Sequence, residues 1–157
     1  MTTANNISPA KVCAQILVNA DIGLLPGVPG QILPVTQIPG NVQTPVYTLK
    51  MPDAPDQVVC LYDTAGKYNG RLMRGQTTTH PGVSVIVRAP NGDGYKELCI
   101  PITDAFDNFF YSQVTVDEIP YGVHSVYRIG DIISLGEETG KRRQLWSINY
   151  RMCFIGF

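Results

Sequence analysis

The residues of this chain whose types could do chemistry are two histidines, four cysteines and a few acidic pairs. His80 stands in Thr79-His80-Pro81-Gly82 at the mouth of a β-like run, and His124 stands inside another beside Tyr121 and Tyr127. A hydrolytic nucleophile needs a base within ~2.6–3.2 Å and a third group that orients the base. A His124–Cys153 or His80–Cys60 pair is open in space, but a surface or satisfied strand histidine is the plainer reading, and no G-x-S-x-G elbow accompanies either. Cys13, Cys60, Cys99 and Cys153 are scattered without a C-x-x-C pair, and each lies in an apolar run such as Val59-Cys60-Leu61. That is the pattern of small buried hydrophobes rather than of a zinc site, whose ligands come in close pairs. Gly66-Lys67-Tyr68-Asn69-Gly70-Arg71 and Gly92-Asp93-Gly94-Tyr95 lack the spacing of a phosphate loop and read as turns. Asp104 and Asp107 lie one helical turn apart on what reads as a solvated face, and Asp53 and Asp56 read as turn-makers whose side chains bond nearby backbone N–H groups. No catalytic residue, cofactor site or metal site is assigned.

What remains is chemistry of contact. Lys141-Arg142-Arg143 is the only basic run, at a hairpin tip beside Glu137 and Glu138. It is either a solvated end that discourages aggregation or one half of an inter-subunit salt-bridge patch, with the basic side of one copy meeting the acidic side of the next. Contacts of that heterologous kind close into rings. Residues 26–45 contain Pro26, Pro29, Pro34, Pro39 and Pro45 together with Ile32, Leu33 and Val35. Such a long apolar stretch is costly to leave in water. It reads as an arm that packs Ile32, Leu33 and Val35 on a neighbouring subunit, or as a loop folded over its own core.

The elements that position these residues follow from local pattern. Ser8-Pro9 starts a helix, with serine as the cap and proline at the first turn, and an apolar stripe through Val12, Cys13, Ile16 and Leu17 carries it to about Asp21. Val46–Lys50 and Gln57–Asp63 read as strands, separated by the Pro52–Asp56 turn. Residues 64–79 read as a loop or loose hairpin, and Val83–Arg88 as a strand. Tyr95, Leu98, Cys99, Ile102, Phe106 and Phe109 recur at helical steps, with a kink or a fresh helix start expected at Pro101. Gln113–Val116 is a short strand, Val123–Leu135 a long one, and Gln144–Ile155 the last, with Trp146, Ile148, Tyr150, Met152 and Phe154 on its core face.

Helix, strands, helix, strands is the order of an α+β fold: a mostly antiparallel mixed sheet with two main helices packed on one face. The 157 residues suit one domain over 1–157, with 1–7 as a flexible N terminus. Charged residues make up 16% of the chain against about 25% in a typical domain, which favours a surface partly covered by other subunits. The net charge of −1 is unlike that of a sequence-specific nucleic-acid binder. No apolar run is long enough to cross a membrane and the first six residues are unlike a signal peptide, so the expectation is a chain kept in a cytosol or in a particle assembled there.

Met51-Pro52-Asp53-Ala54-Pro55-Asp56, a strand ending at Tyr62, and then Pro81-Gly82-Val83-Ser84-Val85-Ile86-Val87-Arg88-Ala89-Pro90 follow one another in a specific order. In that order, after an N-terminal helix and before a second helix and two long closing strands, the chain resembles the tail terminator (tail completion) and minor capsid proteins of long-tailed bacteriophages, over roughly Ser8 to the C terminus. The resemblance implies a structural virion protein at the head-proximal end of the tail, assembled in the host bacterial cytoplasm. It implies a homo-oligomeric ring, six copies in that family, which stops growth of the tail tube and offers a surface for head joining. The implied partners are further copies of the chain, the tail tube protein and head–tail connector or neck proteins. Genomic DNA would pass through the lumen without specific binding, past a wall kept neutral or acidic by residues such as Asp117, Glu118, Glu137 and Glu138. Alternatives are a head–tail connector or neck subunit, and a small cytosolic α+β enzyme or ligand-binding domain. Relative to the family, the 26–45 segment is long and Pro101 is unusual.

Overall fold

The computed structural model describes residues 7–22, 44–71, 73 and 77–154. Helix α1 (Pro9–Asn19) begins with proline at its first position, where the missing N–H costs nothing. Ser8 does not cap it: the Ser8 hydroxyl is buried without a partner. The orphan N–H of Ala10 is instead taken by Oδ1 of Asp63, 53 residues away on a strand, at 2.8 Å. A carboxylate there also faces the positive end of the helix dipole. The C terminus closes two residues earlier than the apolar stripe suggests. Asp21 turns left-handed at φ 58°, and the N–H groups of Ile22 and Asp21 bond to the carbonyls of Leu17 and Val18.

The sheet runs in the order β1-β2-β3-β7-β5-β4, with β6 also paired to β7. Its strands are β1 (Val46–Thr48), β2 (Val58–Arg71), β3 (Thr77–Ala89), β4 (Phe110–Val116), β5 (Ile119–Arg128), β6 (Ile133–Glu137) and β7 (Gln144–Phe154). Among the described residues only β1 with β2 is parallel, so the sheet is mixed and mostly antiparallel. β5 and β6 both pair with β7, β5 along Tyr150–Phe154 and β6 along Gln144–Ser147, so the expected long strand exists as two pieces parted at residues 129–132. β4 and β5 are joined by a two-residue turn in which Asp117 and Glu118 both have positive φ, 50° and 66°. That is the arrangement whose twist matches a hairpin.

The expected second helix is interrupted before its proline. Tyr95–Cys99 form a π-helical turn and α2 (Ile100–Asp107) starts there, placing Pro101 in its first turn. The wider turn absorbs the carbonyl that proline cannot serve. Leu98, Cys99, Ile102 and Phe106 are buried as their spacing requires, whereas Tyr95 turns out to the surface. One core joins both helices to the sheet through Val12, Ile16, Leu17, Val85, Phe106, Ile148, Tyr150 and Met152. The Phe106 and Tyr150 rings meet edge-on at 4.6 Å, and the Cys13 and Met152 sulfurs approach to 3.3 Å.

Candidate assembly surface

Three features stand outside this core. The first is an ionic knot at one end of the sheet. β3 ends in Arg88 and the β6–β7 connection ends in Arg143, and each side chain is only 3% exposed. Both reach the Pro52–Asp56 turn. Arg88 Nη2 donates to the carbonyls of Pro55 at 2.7 Å and Asp53 at 3.2 Å, and its Nε to that of Asp56 at 3.4 Å. Arg143 Nη1 donates to the Asp53 carbonyl at 2.6 Å and to Asp56 Oδ1 at 3.2 Å, while its Nη2 meets Asp53 Oδ1 at 3.3 Å and Glu138 Oε2 at 2.7 Å. Lys141 also pairs with Asp53. A guanidinium presents a fixed fork of donors, which suits a turn whose carbonyls and carboxylates converge. Hydrogen bonds from Lys141 and Arg143 hold the Asp53 carboxyl below its usual range. The Asp53 and Asp56 carboxylates, expected to bond their own backbone, thus tie two distant loops together.

This places the residues singled out from the sequence. Glu138, Lys141 and Arg143 are engaged within the chain, whereas Glu137 and Arg142 are exposed and form no ion pair among the described residues. Ile32, Leu33 and Val35, with nearly all of segment 26–45 and most of residues 1–7, lie outside the described residues. The partners missed by sequence reading are Asp53, Asp56 and Arg88. Their signal was the pair of motifs Met51–Asp56 and Arg88-Ala89-Pro90, which reads as separate punctuation until the fold brings them together.

The second feature is a belt of exposed large side chains on β4, β5 and β6: Phe110, Tyr111, Ile119, Tyr127, Ile133 and Leu135. Phe110 and Tyr111 are 64% and 69% exposed. β4 has no strand on its outer side among the described residues, so its backbone edge is not paired in a ladder there.

The third is the β2–β3 hairpin. Residues 64–79, expected to form a loop or a loose hairpin, continue the ladder as a hairpin: Lys67 pairs with His80, Tyr68 with Thr79 and Arg71 with Thr77, across two register shifts. β3 pairs with β7 only from Gly82 onward, so the outer part of the hairpin projects past the sheet as a two-stranded arm.

Neither histidine is bonded to a cysteine among the described residues. His124 Nδ1 lies 3.1 Å from Ser125 Oγ with its ring against Tyr111, and His80 packs edge-on to Tyr127. All four cysteines are free thiols. Burial pushes Cys99 up to about 12 and raises Cys13, Cys60 and Cys153 as well, which disfavours the thiolate that a nucleophile needs. Among the described residues no group of three His, Cys, Asp or Glu side chains could hold a metal ion, and no helix is long and apolar enough to cross a membrane.

No curated protein matches the sequence. A solved structure described as "Virion of native gene transfer agent (GTA) particle" aligns over 71% of this chain and 78% of its own, at 11% identity and a TM-score of 0.49. Another aligns over 73% and 82%, at 17% identity and a TM-score of 0.39. Likenesses at this level carry no functional argument. The sequence match is of another order: the family described as "Bacteriophage tail terminator protein" matches residues 21–153. That span takes in the knot, the exposed belt and the projecting hairpin alike, and the chain belongs to the bacteriophage tail terminator family.

Proposed function

We propose that the chain, a structural tail protein, forms a homo-oligomeric ring of six copies that caps the head-proximal end of the tail tube. The ring stops tube polymerisation and presents the surface to which the head's connector or neck proteins join. Family membership makes the role structural and non-enzymatic. The observation that carries the ring is the exposed belt of β4, β5 and β6 beside the β4 edge, unpaired among the described residues. An exposed edge lined with aromatic and aliphatic side chains is a liability in a solitary protein and an asset in an assembling one.

In this reading both helices pack on one face of the sheet, and the subunit acts as a rigid wedge. The ionic knot fixes the β6–β7 connection so that Glu137 and Arg142 stand at its surface in one geometry, ready for a neighbouring copy. Ile32, Leu33 and Val35 are proposed to add apolar contact from the 26–45 segment. DNA passes the lumen without specific binding because the wall is neutral or acidic. Of the acidic candidates, Glu137 and Glu138 sit at the knot end of the sheet and Asp117 and Glu118 at the other.

Native mass spectrometry of the purified protein tests this directly. The expected species is a ring of six 17.2 kDa chains, about 103 kDa. A chain that stays monomeric at high concentration and does not label the head-proximal tail end of virions in immunogold micrographs would refute the proposal.

A further inference from the structure

Each end of the strand order leaves a strand edge without a partner strand among the described residues. On one side β1 covers β2 only along Val59–Leu61, leaving the rest of β2's outer edge unpaired among the described residues; on the other side lies β4. The strand directions place two different structures at the same end of these flanks. β3 enters at Thr77 and β5 at Ile119, and both run antiparallel to β7, so the β2–β3 arm and the Asp117–Glu118 turn both project beyond the C-terminal end of β7.

Their charges are opposite. The chain has no Asp or Glu between Asp63 and Asp93, and Lys67 and Arg71 lie on the strands of the arm. Residues 110–122, the β4–β5 hairpin up to Gly122, carry Asp117 and Glu118 and no Lys or Arg. Within one chain Lys67, Asp117 and Glu118 form no ion pair among the described residues. The arm is also built to be aimed. At its root the backbones approach so closely that a Cβ on Gly66 would lie 2.6 Å from the His80 carbonyl oxygen, and one on Gly82 would lie 2.7 Å from that of Ala65. This tight spot coincides with the register shift between Thr64 and Lys67, and such bulges redirect a strand. A two-stranded ribbon with no third strand is marginal alone and gains stability by docking.

We propose that the β2–β3 arm is an inter-subunit arm whose seat is the Asp117–Glu118 turn of a second copy of this chain. This rests on the ring reading and adds to it the contact that sets its order. One copy offers a basic arm on its β2 flank and the next an acidic turn on its β4 flank, at the same level. The contact is heterologous, and repeating it around an axis closes a ring. Opposite charge at this contact fixes register between identical subunits and repels a copy docked the wrong way round.

A charge-swap experiment tests the assignment. Lys67→Glu with Arg71→Glu reverses the arm, and Asp117→Lys with Glu118→Lys reverses the seat. Native mass spectrometry and light scattering at low salt report assembly, with far-UV circular dichroism and urea midpoints as folding controls. Each reversal is expected to raise the concentration needed for ring formation at least about tenfold, and the quadruple swap is expected to bring it back towards the wild-type value. The neutral pairs Lys67→Gln with Arg71→Gln, and Asp117→Asn with Glu118→Gln, give a smaller shift in the same direction and serve where a reversal perturbs folding. Rings that form at the wild-type concentration from both reversals overturn the proposal while leaving the ring intact. So does an arm reversal that keeps the ring but abolishes binding of a short DNA duplex, because the arm then serves nucleic acid. A wild-type chain that never leaves the monomer removes the ring reading itself.

Discussion

Arg88 and Arg143 show how two residues convert a flexible turn into a fixed one. Their donors occupy the carbonyls of Asp53, Pro55 and Asp56, so the turn sits in one position against the β6–β7 connection. The acid side of stability should report this. Lys141 first, and Arg143 with it, lower the Asp53 carboxyl from its ordinary 3.8. A carboxyl lowered on folding contributes stability that is fully present above its unfolded pKa and is lost as pH falls through its folded value. Urea midpoints of the native protein should therefore drop below about pH 4, and Asp53→Asn should flatten that drop while lowering the midpoint at neutral pH. An unchanged acid slope in the variant would contradict the role given to Asp53. Little of this was legible in the sequence. Asp53 and Arg143 are 90 residues apart, and an aspartate in a proline-rich turn satisfies local rules without any distant partner. The same limit applies at α1, where Ser8 has the right chemistry for a cap and Asp63 provides it.

At the level of elements, periodicity located the core and missed the extensions. The buried face of β7, the stripe of α1 and the Leu98, Cys99, Ile102 and Phe106 face follow from spacing alone, because burial on one side forces a period. Residues 64–68 of the β2–β3 hairpin are exposed, so no buried face imposes alternation there, and the polar, glycine-rich 64–79 sequence reads equally as a loop or a loose hairpin; the pairing is that of a hairpin. The break between β5 and β6 is similar: Arg128, Ile129, Gly130 and Asp131 lie exposed where no packing partner enforces a pattern. The π-helical turn ahead of Pro101 was visible only as a disturbance, since a proline predicts trouble without saying whether the chain kinks or widens. Gly94, which opens that turn, shows how tightly it is set. A Cβ there would lie 2.5 Å from the Ala89 Cβ and 2.8 Å from Cζ3 of Trp146. Gly94→Ala should destabilise the fold by about 1–3 kcal/mol. Calorimetry should then show a melting temperature lower by roughly 2–4 °C for each kcal/mol, whereas an unaffected variant would mean that the turn and Trp146 separate freely.

For the whole molecule, the sequence conveyed the family through ordered motifs, and the fold shows what two of those motifs do: they build the knot that holds one end of the subunit. The opposite end carries the β4–β5 turn, and its backbone has a consequence for how this protein balances solubility of the free subunit against assembly. Asp117 and Glu118 both occupy left-handed conformations; aspartate tolerates that region, whereas it costs a residue such as Glu118 roughly 1–2 kcal/mol relative to the usual regions. Asn-Gly would relax the same turn at no cost to its shape. Asp117→Asn with Glu118→Gly should therefore yield a chain that melts at a higher temperature yet oligomerises less readily, two readouts moving in opposite directions. The free chain thus carries conformational tension at the place where it bears its acidic charge, as expected if the carboxylates are kept for the sake of a neighbour and not for the subunit that holds them.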